Sequence, residues 1–385
     1  MNFVMILESC LFSFLFFLNP FFVAAVIVAV IFPFLRKSST TIKIVVFNLM
    51  VIFVLAGFFD VAATTFFVPA YNNFRTNSSY YHHGLKPNMT EKTRWFNEYT
   101  VHTNSLGFLD KKQRNVPLKK NGKRFVFIGD SFTEGVDAQW DETFPGIVAK
   151  ELEKEGIELL NAGCISYSPK IYYLKMKYFI EKGLDMDELF VFVDISDVQD
   201  EIEYAYFEPS EPVLLLSDIN LFFYQNSYSY RYFYDRFFYF QENPRHKDSP
   251  FWGGAFYPVR HLWSMDMDHY NNWGKEGLEL SEKYMDLLHK LTDKHGIKLN
   301  IAVYPWRYHI LKRNLDSIQV LFWKKFCEER NIEFINFFPD FINVENVEEM
   351  EKRWFVKEDV HWSAEGLEKM AESVINHFRN EKILK

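Results

Sequence analysis

The stretch RFVFIGDSFTEG, Arg124 to Gly135, decides the fold. Phe125 to Ile128 are four consecutive large apolar residues, the pattern of a short strand buried on both faces of a sheet. The strand runs directly into Gly129-Asp130-Ser131. In an open parallel sheet, ligands bind beyond the carboxyl ends of the strands, so a serine in this place is presented at the reactive edge. The flanking glycines permit a tight turn and close approach of a substrate. The Ser131 backbone N–H is then able to point at a developing oxyanion.

Working outward from this strand, further apolar runs recur at 157–161, 188–194, 298–304 and 332–337. Between and after them, helical periodicity is read at about 142–155, 170–182, 276–295, 316–330 and 364–380. Alternation of continuous apolar strands with amphipathic helices predicts an α/β fold, a parallel sheet covered on both faces. Residues 71–123 are polar, rich in Asn, Thr, His and Lys, and read as a connector packing on the body. It contains a turn-like Asn104-Ser105-Leu106-Gly107.

A serine hydroxyl is a poor nucleophile until an imidazole takes its proton, and the imidazole needs a carboxylate to hold its tautomer. The segment VKEDVHWSAEG, Val356 to Gly366, supplies both just before the last helix. Asp359 and His361 lie two residues apart, and Glu358 is the alternative orienting acid. The other ten histidines stand in no such setting.

The two segments together resemble the SGNH/GDSL hydrolase superfamily, and the resemblance covers Arg124 to the C-terminus. It implies a flavodoxin-like three-layer α/β/α fold and ester cleavage or acyl transfer, with no cofactor and no metal. Its first block matches Gly129, Asp130 and Ser131, and its last matches Asp359 and His361. Its second block supplies a glycine N–H to the oxyanion hole, matched by Gly163 after the strand IELLN. The third block of the family reads Gly-x-Asn-Asp. Here VDISDVQDE puts Asp194 in place of the glycine and Ser196 in place of the asparagine, a weaker oxyanion donor. The Asp-x-His spacing, the TNSLGF segment and Tyr304-Pro305-Trp306 look like the subgroup tied to acylation of exported polysaccharide. On that resemblance Asp130, Asp194, Trp306 and Trp362 are candidate substrate-binding residues.

The N-terminal 70 residues read as an anchor. Leu11 to Leu35 carries no charge, and Ile44 to Val68 is interrupted only by Asp60. At about 1.5 Å per residue, each run is long enough for a hydrocarbon core of about 30 Å. Arg36, Lys37 and Lys43 lie between them, so the loop is expected inside and the catalytic body outside, in the periplasm or exterior. Asp60 falls toward the outer end of its span, within reach of the interface. An aromatic insertion occupies about 198–275, its middle reading FFYQNSYSYRYFYDRFFYF, Phe222 to Phe240. Its rings suit sugar stacking or a membrane interface, or else fill a satellite core; Arg231 and Arg236 suit an anionic group or headgroups.

The formal net charge of -8 recommends no nucleic-acid partner. Three cysteines, Cys10, Cys164 and Cys327, give neither a disulfide framework nor a zinc spacing, and Cys164 and Cys327 read as buried free thiols. The expected chemistry is hydrolysis or transfer of an acyl group, acetyl foremost, on an envelope carbohydrate or lipid-linked glycan. A transferase version would call for a multi-span partner that delivers the acyl donor across the bilayer. The competing class is a non-catalytic SGNH-like protein of the envelope that binds or assembles glycans.

Overall fold

The computed structural model describes residues 19–67, 74–209, 223, 227–237 and 260–385. Cys10, the Leu11–Leu18 part of the first apolar run, the side chains of Arg231 and Arg236, and residues 210–222, 224–226 and 238–259 of the aromatic insertion lie outside the described residues. Two compact units result, and the aromatic insertion divides between them: 213–250 joins the N-terminal 73 residues, while 74–212 and 251–385 form the other unit.

In the first unit, α1 (Pro20–Ile31) continues into a 3-10 turn, Phe32–Lys37, and α2 (Thr40–Phe67) returns. Twelve α-helical and six 3-10 residues rise about 30 Å together, enough for one crossing. Both helices are long and apolar enough to span a membrane. Pro20 starts α1, where its missing N–H costs nothing, and the Asn19 side chain caps it by accepting from the Phe21 amide at 3.0 Å. Asp60 is fully buried within the protein, and Asn19 Nδ2 donates to its Oδ2 at 2.7 Å. A later helix, α7 (Tyr228–Phe237), completes the described part of this unit.

The second unit opens with two antiparallel hairpins, β1 (Arg75–Ser78) with β2 (His82–Leu85) and β3 (Thr90–Arg94) with β4 (Glu98–His102). The connector is therefore structured, which its polar composition did not announce. Gly107 is left-handed, and the Asn104 side chain accepts from the Leu106 and Phe108 amides, so TNSLGF forms a buried turn.

Five strands follow: β5 (Lys123–Gly129), β6 (Ile157–Asn161), β7 (Glu188–Val193), β8 (Lys298–Val303) and β9 (Glu333–Asn336). All are parallel, in the order β6-β5-β7-β8-β9, so the chain steps one way from β5 and then turns back past it. This is the flavodoxin-like order, and its switch point lies at the carboxyl end of β5. A single turn, α3 (Ser131–Glu134), follows β5 at once. The helices α4 (Phe144–Lys154), α5 (Pro169–Glu181), α6 (Asp197–Glu203), α8 (Lys275–Lys294), α9 (Ile318–Arg330) and α10 (Ala364–Asn380) cover the sheet. α4 packs with α10, and α5 with α8, which makes three layers. Phe378 of α10 meets Phe125, Phe127 and Phe190 across the sheet face. Cys164 and Cys327 are both buried and free.

The start of α5 is tied to α6 by a buried acid: Glu201 accepts from the Lys170 amide at 2.8 Å. Burial raises the Glu201 carboxyl to about 7, against the lowering effect of that hydrogen bond. A carboxyl raised on folding stabilises fully below its unfolded pKa, and that contribution is lost as pH rises through about 7. The difference is worth roughly 3 kcal/mol. Thermal unfolding followed from pH 5 to 8 is expected to show a falling midpoint in the parent chain and a flatter profile in Glu201→Gln.

Candidate active site

The Ser131 hydroxyl emerges from the first turn after β5. Asp130 caps that turn, its Oδ1 accepting from the Phe132 amide at 3.0 Å, and Gly135 closes it in the left-handed conformation. Thr133 comes so close to Gly129 that a Cβ there would lie 2.1 Å from its Oγ1, so only glycine allows the turn to fold back on the strand.

His361 arrives from the loop before α10. Its Nε2 lies 2.8 Å from Ser131 Oγ, and its Nδ1 bonds to Asp359 Oδ1. The same carboxylate oxygen accepts from the His361 backbone amide at 2.8 Å, which locks the Asp-x-His spacing into a compact chelate. Burial opposes ionisation of Asp359, yet its hydrogen bonds with His361 and the imidazole's charge hold it below the usual carboxylate range. Phe132 packs on one side of the imidazole at 5.1 Å and Trp95 stands edge-on at 5.3 Å. Glu358 takes a left-handed backbone conformation that turns it outward, and its side chain is exposed. The structure therefore brings Asp359, and not Glu358, to the ring.

Trp95 belongs to the connector, between β3 and β4, and its Nε1 donates to Asp359 Oδ2 at 3.4 Å. Asp137 accepts from the Phe96 and Asn97 amides and from Asn97 Nδ2, which pins the hairpin tip against the loop after α3. Behind the nucleophile, Glu134 is clamped by both guanidinium nitrogens of Arg75 from β1 and accepts from the Ile165 amide at 2.8 Å. His83 of β2 bonds to the Ile165 carbonyl at 2.7 Å through Nε2; burial pushes its pKa down to about 3, so the neutral ring donates there. Two hairpins of unremarkable sequence thus brace the nucleophile turn and the loop facing it.

The expected oxyanion donors are placed differently. The Gly163 amide donates to Asn161 Oδ1 at 3.0 Å, and a Cβ on Gly163 would meet the Thr133 and Glu134 backbone at 2.9 Å. Gly163 is a packing glycine beneath α3 and is absent from the lining of the reaction cleft. The Ser196 hydroxyl and amide both donate to Asp194 Oδ1, at 2.6 and 2.7 Å, because the carboxylate two residues earlier is within reach of both. Ser196 reaches the cleft with its hydroxyl proton already committed.

Asp194 is fully buried, accepts from Trp306 Nε1 at 2.8 Å and does not line the cleft. Trp362 points away from it too, into the core among Phe132, Phe144, Tyr304 and Phe341. These two candidate substrate residues are structural. Asp130 and Trp306 do line the cleft, together with Trp95, Ser131, His361 and Arg260. Asp130, Asp194 and Asp197 have oxygens within 4.8 Å of one another. Protein donors occupy them: the Phe132 amide and Tyr304 hydroxyl on Asp130, Trp306 and Ser196 on Asp194, and the Tyr172 hydroxyl on Asp197. Burial, then the charge of Asp194, push the Asp130 carboxyl well above its usual range. Its Oδ2 lies 3.2 Å from Ser131 Oγ, a second acceptor for the serine hydroxyl beside His361 Nε2 at 2.8 Å.

Sequence reasoning passed over Trp95 and Arg260. Arg260 is the one permanent cation among the described residues lining the cleft, paired with Asp200 at 2.6 Å. Neither residue lies in a motif, so no local signal marked them.

Swapping acids tests the relay. Asp359→Asn, which leaves the imidazole in the wrong tautomer, is expected to cost about 10⁴-fold in kcat on an activated ester, by analogy with other triads. Glu358→Gln is expected to leave kcat unchanged.

No family model and no curated protein matches the chain. Solved structures similar to it include a lipolytic protein of the G-D-S-L family from Desulfitobacterium hafniense, 15% identical, covering 66% of this chain and 99% of that one, TM-score 0.37. A psychrotrophic esterase from Pseudoalteromonas sp. is 9% identical, covering 67% and 98%, TM-score 0.38. A variant of an acetyl-xylooligosaccharide esterase from Geobacillus stearmophilus is 14% identical, covering 66% and 94%, TM-score 0.37. This chain itself shows a 2-1-3-4-5 parallel strand order, a serine turn directly after β5 and an Asp–His pair before the last helix.

Proposed function

We propose that the chain is a membrane-anchored serine esterase or O-acyltransferase that acts on a short acyl ester, acetyl foremost, of an envelope carbohydrate. The observation that carries this is the Ser131–His361–Asp359 relay, with Nε2 and Oγ at hydrogen-bond distance before any substrate is bound. Ser131 Oγ attacks the acyl carbonyl while its proton passes to His361 Nε2. Asp359 keeps the proton on Nδ1 and stabilises the imidazolium. The C–O bond to the alcohol then breaks, and the departing alkoxide takes the proton from Nε2. Water or a sugar hydroxyl attacks the acyl-enzyme and gives its proton to Nε2; the acyl–Oγ bond then breaks, and Ser131 Oγ takes that proton back from Nε2.

The cleft supports the short acyl group. It encloses about 70 Å³, where one water takes about 10–15 Å³ on the same measure, so a small acyl group such as acetyl fits. Polar and aromatic side chains, Trp95, Trp306 and Ser166 among them, line it. Two helices long and apolar enough to cross a bilayer support an anchored enzyme, and the basic loop of Arg36, Lys37 and Lys43 supports a catalytic unit on the extracytoplasmic side. In the transferase version, the acyl group comes from a multi-span carrier.

With Gly163 and Ser196 engaged elsewhere, the oxyanion is met by the Ser131 amide and by the Arg260 guanidinium. Arg260→Ala is expected to lower kcat by 10²–10³-fold, the usual cost of one oxyanion donor, with KM little changed. A fall in kcat/KM through KM alone would assign Arg260 to substrate binding instead.

A fluorophosphonate probe tests the nucleophile: the parent chain is expected to label and Ser131→Ala to stay blank. Labelling of both, or of neither with every acyl ester tried, would favour a glycan-binding protein without catalysis. Surface-glycan O-acetyl content then separates the two activities, falling in Ser131→Ala cells for a transferase and rising for an esterase.

A further inference from the structure

Asp60 is a fully buried carboxylate on a helix apolar enough to cross a membrane, and it makes no salt bridge with any described residue. Its partners are neutral. Asn19 Nδ2 donates to Oδ2, and the Ser229 backbone amide donates to Oδ1, both at 2.7 Å. One turn further along α2, the Thr64 hydroxyl donates to the Asp60 carbonyl and accepts from the Tyr228 amide at 2.9 Å. The first two amides of α7 therefore end on α2, and Ser227 takes the third turn-forming amide, that of Tyr230, at 3.0 Å. A helix N-terminus carries a partial positive charge and unsatisfied N–H groups, so α7 answers a carboxylate that no cation among the described side chains answers.

The depth of this contact follows from counting. Asp60 stands twenty residues after Thr40, where α2 begins, which is about 30 Å of helix and one hydrocarbon thickness. The start of α7 is thereby held at the headgroup level of the far leaflet. Six of its ten residues are Tyr or Phe, the composition enriched where bilayer meets water. Tyr232 and Phe233 are 58% and 54% exposed, and on α2 the residues just before Asp60, Phe58 and Phe59, are 58% and 71% exposed. The exposed aromatic surface of α7 thus continues that of the apolar helix to which it is fastened.

From this we infer that α7 is a third membrane element, an aromatic helix seated in the bilayer interface and clamped there by Asp60 and Thr64. The occupant of its exposed face is lipid at the boundary of headgroup and acyl chain. The inference rests on α2 being a span, and it assigns to Asp60 the task of fixing α7 at that depth.

The test uses the full chain in phosphatidylcholine nanodiscs, with Cys10→Ser and one new cysteine carrying an environment-sensitive fluorophore. The native Cys164 and Cys327 are buried. Label positions are Phe58→Cys for the span, Tyr232→Cys for α7, and Glu328→Cys as the exposed control on the other unit. Phe58 and Tyr232 are expected to be quenched by doxyl lipid and to be several-fold less quenched by aqueous iodide than Glu328. Asp60→Leu is expected to make Tyr232 as iodide-accessible as Glu328, while Asp60→Asn, which keeps a carbonyl oxygen for the Ser229 amide, retains its protection. Fluorophosphonate labelling of Ser131 in each variant checks that the catalytic unit is folded. If Phe58 is shielded and Tyr232 is not, the inference falls and the span stands. If Phe58 itself behaves as Glu328 does, the span reading falls and takes the inference with it. If Tyr232 stays lipid-quenched in Asp60→Leu, the clamp is overturned.

Discussion

A hydrogen bond between His361 Nε2 and Ser131 Oγ joins two points 230 positions apart, and the end of β5 and the loop before α10 are both arranged around it. The bond requires that the end of β5 and the loop before α10 meet at one edge of the sheet. Strand order meets that requirement, because the switch beside β5 opens a crevice at its carboxyl end. Each side of the bond is then stiffened locally. Asp130 caps the serine turn, and Asp359 holds both the ring and the backbone amide of the histidine. A relay assembled before substrate arrives has little reorganisation left for the moment of reaction.

Bracing comes from residues of no catalytic type. The ion pair between Arg75 and Glu134 is largely shielded from water, and breaking such a pair from one side costs more than its net worth, because a buried charge is left alone. It connects a peripheral hairpin to the residue that ends the nucleophile turn. Through Glu134 and His83 the same hairpin also holds the Ile165 backbone, on the opposite lip of the cleft. The second hairpin supplies Trp95 as a wall beside the imidazole. A segment that reads as a linker is therefore part of the site.

The acid-rich floor of the site is met by neutral donors. Asp130 and Asp197 are both buried, and burial raises each above the usual carboxylate range, with the neighbouring carboxylates adding to the effect. Each accepts from a tyrosine hydroxyl, Asp130 from Tyr304 and Asp197 from Tyr172, and Asp194 between them accepts from Trp306. In the first unit a single buried carboxylate is met in another way, by backbone amides at a helix start. In both places desolvation sets the problem, and the local supply of donors sets the answer.

Much of this was legible in the chain itself. Continuous apolar runs marked all five sheet strands to within a residue or two, since a strand covered on both faces has no polar side to blur the pattern. Ser131, Asp359 and His361 were readable because each sits in a short segment next to a strand end or a helix start. What the linear order did not hold was the occupancy of hydrogen bonds. Gly163 and Ser196 have the residue types of oxyanion donors, but Asn161 and Asp194 claim their protons, and only folded distances reveal that. The hairpins at 75–85 and 90–102 escaped notice because β1 and β3 are polar throughout, and β4, where Tyr99 and Val101 alternate with polar residues, is too short to stand out alone. The partners of Asp60 were equally hidden, because Asn19 and Ser229 lie 41 and 169 residues away in the chain. Periodicity and local motifs are properties of neighbours in sequence; partner choice among buried polar groups is decided by neighbours in space.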